Sequence, residues 1–403
     1  MYDTRRNGLH GPAEQADAVV GRPQYLRALN EATLLGALRR SGQLMRGELG
    51  SISGLSKPTI AAALTNLERA GLVRVAGRRT GMPGRVASLY EVNPEAGFVV
   101  GLDVGGEYLR GALADLGGTV RARGNRQVHG ASSHARTAEL IALADQLTAQ
   151  AGISREAITQ TVVGSPGIYD PRRDALRLAQ GLPGWERPGV LAELRDAFGP
   201  ATVFENDVNL ATLAEREHGH GKSFDTFVFI SIGTGIGMGL VLDGRPYTGV
   251  HGAAGEIAFL SADPLTEIDP ADASRRGPLD AAGSAAGITR AAHARGMRGR
   301  LSAKLIFQAA AEGDAEAAAV VSEEVHIVAR AVADVTSVVD PALVVLGGGI
   351  GSAPGFAQAV AAGLEKLLPF VPEVRVSALS GDAIVTGCLV AGIEMAWQRL
   401  LDR

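Results

Sequence analysis

The sequence predicts an α/β protein in two parts, a winged helix-turn-helix head over residues 23–93 and a larger α/β body behind it. Three observations carry this reading. Between Gln24 and Val92 three short helical runs are followed by a β-hairpin. After Pro94 the texture changes to Val/Ile/Leu strands, Gly-rich turns and Ala-rich helices, the mixture of an α/β unit. Charge divides at the same place: residues 1–90 hold 13 Lys and Arg against 6 Asp and Glu, and the remainder 26 against 37. A basic head on an acidic body suits a head that meets a polyanion, although a merely solvated surface would look the same by charge alone.

At 403 residues the chain has room for two to three compact units. It is 46% hydrophobic and 20% charged, and no run approaches the roughly 18 apolar residues of a membrane span. The N-terminus, with Asp3, Arg5, Arg6 and Glu14, lacks the apolar core of a secretory signal, so the expectation is a cytoplasmic protein without membrane contact. Residues 1–22 read as a flexible arm. The single cysteine, Cys388, excludes an intrachain disulfide and any multi-cysteine metal cluster.

In the head, Leu26, Leu29, Leu34, Leu35 and Leu38 recur at helical spacing from Gln24 to Arg40. A second helix runs from about Arg46 to Ile52 and turns at Ser53-Gly54-Leu55. Ser56 is an N-cap, because its hydroxyl can accept from a free amide of the first turn. Pro58 fits that first turn, where the missing N–H costs little. Ile60, Leu64 and Leu67 mark the inward face of the third helix, and Gly71 suits its C-terminal cap. Two helices joined by a Gly-containing turn make a helix-turn-helix. The runs Leu72–Ala76 and Val86–Val92, joined by a Gly/Arg-rich tip, make a wing. In such a module the third helix enters a DNA major groove, so Ser56, Lys57, Thr59, Ala62 and Asn66 are the candidate contacts. Ala61 to Ala63 offer no hydrogen bonds to bases, which shifts the weight to Arg78, Arg79 and Arg85 of the wing, suited to a narrow minor groove.

Four segments of the body carry chemistry. Phe98 to Gly106 is a buried strand ending in an Asp103-x-Gly105-Gly106 turn that can present amides to phosphates, with Asp103 near a metal ion. Phe227 to Leu240 repeats the pattern around Gly233-Thr234-Gly235. Leu343 to Leu346 runs into Gly347-Gly348-Gly349, flat enough to pass beneath a nucleotide base. Phe204-Glu205-Asn206-Asp207-Val208-Asn209 joins a strand to a helix, and Asp207 there can take a proton from a hydroxyl. Each segment alone is also an ordinary tight turn; in this order, together, they are not.

These segments resemble the ROK family (repressors, open reading frames and kinases) within the actin-like ATPase superfold. The resemblance covers nearly the whole chain. It includes Leu55-Ser56-Lys57 with Thr59-Ile60 and the wing, which are similar to the family's repressor branch. In the body it rests on Ser165-Pro166-Gly167, Leu182-Pro183-Gly184-Trp185, Glu205 to Asn209, Gly233 to Gly237 and His251-Gly252-Ala253-Ala254-Gly255-Glu256-Ile257. It implies a two-lobed actin-like (ribonuclease H-like) body, with lobe one over 94–205 completed by 384–403 and lobe two over 206–383. It also implies a sugar site of Ser165, Pro166, Asn206, Asp207, His251, Glu256 and Asp280, with Asp207 at the position of the catalytic base.

Three departures bear on activity. The family's zinc ligands are one His and three Cys; here those positions read Phe259, Ala271, Ala273 and Pro278, which excludes zinc. The Glu that closes the zinc motif is Asp280. After Asp103-x-Gly105-Gly106 the kinases carry Thr and usually Lys, where this chain has Glu107 and Tyr108, and a carboxylate there repels ATP phosphates. The expectation is therefore a DNA-binding regulator, a repressor of carbohydrate genes, that lacks catalysis, zinc and ATP. It binds an operator in double-stranded DNA and a sugar effector, and works as a homodimer or homotetramer. The rival is an active ATP-dependent sugar kinase with a fused head; a third reading makes the body a protein-docking module.

Overall fold

The computed structural model describes residues 23–80, 86–130, 132–179, 181–262 and 268–401. The expected arm 1–22 and the wing tip with Arg85 lie outside the described residues.

The head is three helices, Pro23–Ser41, Arg46–Ser53 and Lys57–Arg69, followed by the hairpin Val73–Thr80 and Val86–Val92. The two-residue strand Leu44–Met45 adds to the hairpin's inner strand, giving a three-stranded antiparallel sheet. Ser56 caps the third helix as expected, its hydroxyl accepting from Thr59 N at 3.4 Å; such a cap contributes about 1 kcal/mol. Gly54 and Gly71 both sit at positive φ, 70° and 72°, the left-handed conformation that ends a helix without strain for glycine alone. Leu34, Leu35, Leu38, Leu49, Ile60, Leu64 and Leu67 form the core.

The first helix forms where its spacing predicts, but only Leu34, Leu35 and Leu38 of its apolar positions are buried; Leu26 and Leu29 are each 51% exposed. The outer wing strand does not stop at Ala76. A bulge between Val75 and Gly77 absorbs one residue, and the strand continues to Thr80. Arg78 and Arg79 therefore lie within the ladder, opposite Ser88 and Ala87, rather than at the tip.

The body contains two five-stranded sheets of the same plan. In the first, the buried strand Phe98–Val104 pairs antiparallel with Tyr108–Asp115, which pairs with Val120–Gln127. On its other side it runs parallel to Ile158–Ser165 and then Thr202–Asn206. The second repeats this with Phe227–Ile232 and Ile236–Leu242 as the hairpin, Arg245–Tyr247 at one edge, and the parallel strands Leu343–Gly347 and Glu373–Val376. Continuous apolar runs form both central strands because helices cover both faces. This is the layout of an actin-like body.

Helix Ser133–Ala151 covers one face of the first sheet through Leu140, Leu143 and Leu147. The C-terminal helix Ala383–Leu401 covers the other through Val385, Leu389 and Ala396. Its glycines are spaces for backbone and side chain: a Cβ at Gly387 would collide with Leu210 O, and one at Gly392 with Val99. By length and composition the stretch Ser380–Leu401 also meets the test for a membrane span, at mean hydropathy 1.3, but here it is packed into the core of the first lobe. One apolar cluster joins the head to this helix, running from Leu34, Leu35 and Leu38 through Tyr90 to Leu116, Ala396 and Trp397.

Candidate functional site

Asp103, Asp207 and Glu256 lie within electrostatic reach of one another, and Glu205 stands two residues before Asp207. Asp207 stands at the first position of helix Asp207–His218, at the end of strand Thr202–Asn206. Asn206 fixes that corner twice. Its side-chain oxygen accepts from Asn209 N at 3.0 Å, and its amide nitrogen donates to Gly167 O at 3.1 Å. Asp207 accepts from Val208 N at 2.9 Å, yet burial outweighs this bond and pushes its carboxyl up to about 6. Asp103, only 2% exposed, is pushed to about 7, first by burial and then by the charge of Asp207, against the opposing pull of Arg110 at 3.3 Å. Burial likewise lifts Glu205 to about 7. Glu256 is raised by burial, then by Asp207 and Asp280. A carboxyl both donates and accepts when protonated, as Asp103 and Glu205 are in part at neutral pH, which suits the paired donor and acceptor of a sugar hydroxyl. Asp207, with a pKa near 6, has the strength of a general base at neutral pH.

Other expected sugar contacts are placed differently. Ser165 is fully buried; its hydroxyl accepts from Trp185 Nε1 at 2.8 Å and donates to Pro166 O at 3.0 Å, which uses its proton and one of its two lone pairs. Asp280 is 6% exposed and both of its oxygens are engaged, one by Ile236 N at 2.7 Å and the other by Arg276 at 2.7 Å. Both side chains are buried and tied to neighbouring protein groups. Pro166 is half-buried beside Gly167, and His251 is exposed on the loop before Gly252. That loop touches the first lobe, since a Cβ on Gly252 would lie 3.3 Å from Ile168.

The glycine turns have internal reasons to be glycine. A Cβ on Gly105 would approach Tyr108 O at 2.6 Å in the tight hairpin closed by Gly105 N to Tyr108 O. The carbonyls of Gly105 and Gly106 face the buried Arg136, at 3.0 and 3.4 Å, and Gly106, Glu107 and Tyr108 are exposed. Gly233 N closes on Gly235 O at 2.9 Å, while Thr234 is exposed and Gly235 abuts Asp280. Gly347 packs on the ring of Phe229, and Gly348, at φ 76°, on the backbone of Ile232; Gly349 is open. The glycine run thus turns into the short helix Gly348–Gly351 instead of lying flat.

The zinc positions hold no ligand atoms. Phe259 is half-exposed, Ala271 sits in helix Pro270–Arg276, and Pro278 opens the helix Pro278–Gly283. Hydrocarbon side chains cannot coordinate zinc, so these residues do not fit that ion. Among the described residues no group of three or more His, Cys, Asp or Glu is arranged to hold a metal.

On the head, Ser56, Lys57 and Ala62 are exposed along one side of the third helix, and Thr59 is half-buried beside Ser56. Asn66 does not face outward: its side-chain nitrogen donates to Glu31 at 2.7 Å. Arg79 lies 3.7 Å from Glu48, and Arg78 is exposed. Thr65 and Arg69, which the sequence reading passed over, are exposed on the same helix.

Residues 99–383 match the sequence profile of the ROK family, most of the body and about two-thirds of the chain. The chain belongs to the ROK family. It is 26% identical over 239 residues to the xylose repressor of Bacillus subtilis, an alignment spanning 59% of this chain and 62% of that repressor. It is also 33% identical over 261 residues to the N-acetylmannosamine kinase of Escherichia coli O157:H7, spanning 63% of this chain and 84% of the kinase. In architecture it is similar to a crystal structure of a ROK transcriptional regulator, a homologue of the Escherichia coli MLC protein. That match has a TM-score of 0.75 at 23% identity and covers 94% of this chain and 98% of the other. The ROK relatives thus include repressors and kinases, and the profile alone does not choose between them.

Proposed function

We propose that this ROK protein is a cytoplasmic transcriptional repressor of carbohydrate genes, controlled by a sugar or sugar derivative held between the two lobes. The division into a head over 23–93 and lobes at 94–205 with 384–403 and at 206–383 serves this reading. Asn206, Asp207 and Glu256 are the sugar contacts, with His251 and Pro166 at the rim; Ser165 and Asp280 support them. Ser56, Lys57, Thr59, Ala62, Arg78 and Arg79 face the operator DNA. The chain acts as a homodimer or homotetramer, because helix-turn-helix heads read two half-sites about one helical turn apart.

The observation that carries the reading is the continuity of the C-terminal helix. Near its start Cys388 lies within 3.5 Å of Leu102 O, one residue from Asp103. Near its end Trp397 packs into the cluster shared with the head, and Glu394 pairs with Arg39 at 2.6 Å. Arg39 also stacks over the Trp397 ring at 5.7 Å. A cleft and a DNA-binding head mounted on the same rigid helix are placed to be coupled. A sugar that prefers one lobe angle then shifts the heads by its differential affinity.

The kinase reading is favoured by the intact Asp207 corner. Against it stand the exposed Glu107 and Tyr108 at the first phosphate turn and the close packing of Gly347 on the Phe229 ring and of Gly348 on the Ile232 backbone. Neither zinc nor ATP enters the repressor reading. The test is calorimetric binding of D-xylose, D-glucose and N-acetyl-D-mannosamine to wild type and Asp207→Asn, with a coupled assay for ATP consumption. Binding of one sugar, weakened at least about tenfold in the variant and without ATP turnover, is expected. Turnover dependent on Asp207 would replace the repressor reading with the kinase.

A further inference from the structure

The turn that presents Glu256 is slight. It is a single 3-10 turn, Ile257–Phe259, with Phe259 N to Glu256 O at 3.4 Å and Leu260 N to Ile257 O at 2.9 Å. It is held on one side by strand Ile236–Leu242, where Met238 N donates to Gly255 O at 3.2 Å, and on the other by the segment 277–280. Leu279 N donates to Leu260 O at 3.2 Å, and Gly277, at φ 96°, lies so close to Ala258 O that any Cβ would collide with it.

Arg276 locks that segment in place. Its Nε donates to Asp280 Oδ1 at 2.7 Å, and its Nη2 to Thr234 O at 2.7 Å and Ser284 Oγ at 3.4 Å. The second oxygen of Asp280 accepts from Ile236 N at 2.7 Å. One guanidinium and one carboxylate therefore tie together the Gly233–Ile236 loop, the 277–280 corner and, through it, the Glu256 turn. The side chains are 22% and 8% exposed, so these charge-assisted bonds are largely shielded from water. Asp272 anchors the preceding helix in the same way, accepting from Arg275 and Arg290 at 2.8 and 2.9 Å.

A metal would organise such a corner by gathering donor atoms around itself. Here the donor positions are apolar, and a planar cation with several N–H groups gathers acceptors instead. We propose that Arg276 is a positioning residue of the effector site, holding the Glu256 turn against the glycine loop without any metal. The inference rests on the cleft being an effector site only for its consequence in sugar binding; the clamp itself can be tested without a sugar.

The experiment is hydrogen exchange on the full chain, with and without the zinc chelator 1,10-phenanthroline, for wild type, Arg276→Ala and Arg276→Lys. In wild type the chelator is expected to change nothing. In Arg276→Ala, peptides covering 232–238 and 256–262 are expected to exchange roughly tenfold faster or more, together, while strand 98–104 keeps its protection. Arg276→Lys should recover part of that protection, because an ammonium can satisfy the carboxylate but not all the acceptors. Unchanged exchange in Arg276→Ala, acceleration of one segment alone, or chelator-sensitive protection in wild type would each overturn the proposal. On the sugar side, Arg276→Ala should weaken the sugar that binds wild type while leaving DNA affinity as it was. If none of D-xylose, D-glucose and N-acetyl-D-mannosamine binds wild type while the exchange results hold, the effector reading fails and the clamp stands.

Discussion

Asp103 is buried and Asp207 half-buried within reach of its charge, and the burial of Asp103 has a measurable cost. Asp103 has a raised carboxyl in the folded protein, so its contribution favours folding below about pH 4 and is lost as pH rises through about 7. Asp103→Asn should therefore be more stable than wild type at pH 8, on the order of 2–4 kcal/mol by thermal or denaturant unfolding, with no gain at pH 4. An equal gain at both pH values would show that the side chain is not titrating as described. At this scale the sequence was informative where chemistry sits in a contiguous motif: Asp207 and Glu256 are legible from the residues beside them. It was silent on Arg110, Arg136 and Arg276. Arg110 meets Asp103 only because the hairpin register sets them opposite each other, and Arg136 reaches the Gly105 turn from a helix thirty residues on. Arg276 was hidden for another reason, since Gly277 separates its helix from that of Asp280. The bond from Trp185 Nε1 to the Ser165 hydroxyl was likewise invisible in the motif, because Trp185 lies twenty residues on.

Among elements, the third helix of the head and the C-terminal helix carry most of the argument. The former was read almost to the residue, because a Ser cap, an early Pro and an apolar spacing of three and four all point the same way. Its outer wing strand was not, because Gly77-Arg78-Arg79 has the composition of a loop and only pairing with Val86–Val92 makes it strand. If the exposed edge of the third helix meets phosphate or base, Lys57→Ala should weaken DNA binding and lower the slope of log affinity against log salt by about one. An unchanged slope would remove Lys57 from the interface. On the C-terminal helix, the Arg39–Glu394 pair is partly exposed and contributes no more than about 1 kcal/mol to stability. Arg39→Ala should thus leave the unfolding temperature nearly unchanged but reduce the effect of sugar on DNA affinity. Full retention of that effect would mean the signal leaves the cleft by another route.

On the proposed reading the whole molecule is an effector site, the C-terminal helix and a head in series. Its two-lobed body was implied by the family resemblance, and the strand-to-glycine patterns at Asp103 and Gly233 each mark the same hairpin in its own sheet. The sharing of one apolar cluster between head and lobe could not be anticipated, because Leu34, Trp397 and Leu116 are brought together only by the fold. That sharing makes a quantitative demand. Linkage requires the factor by which a sugar changes DNA affinity to equal the factor by which DNA changes sugar affinity. The decisive measurement is fluorescence anisotropy on DNA from upstream of the protein's own gene, titrated with D-xylose, D-glucose and N-acetyl-D-mannosamine, alongside sugar binding with and without that DNA. The account predicts salt-sensitive binding that one sugar weakens, with matching factors in the two directions. Tight binding that no sugar alters, in either direction, would contradict it.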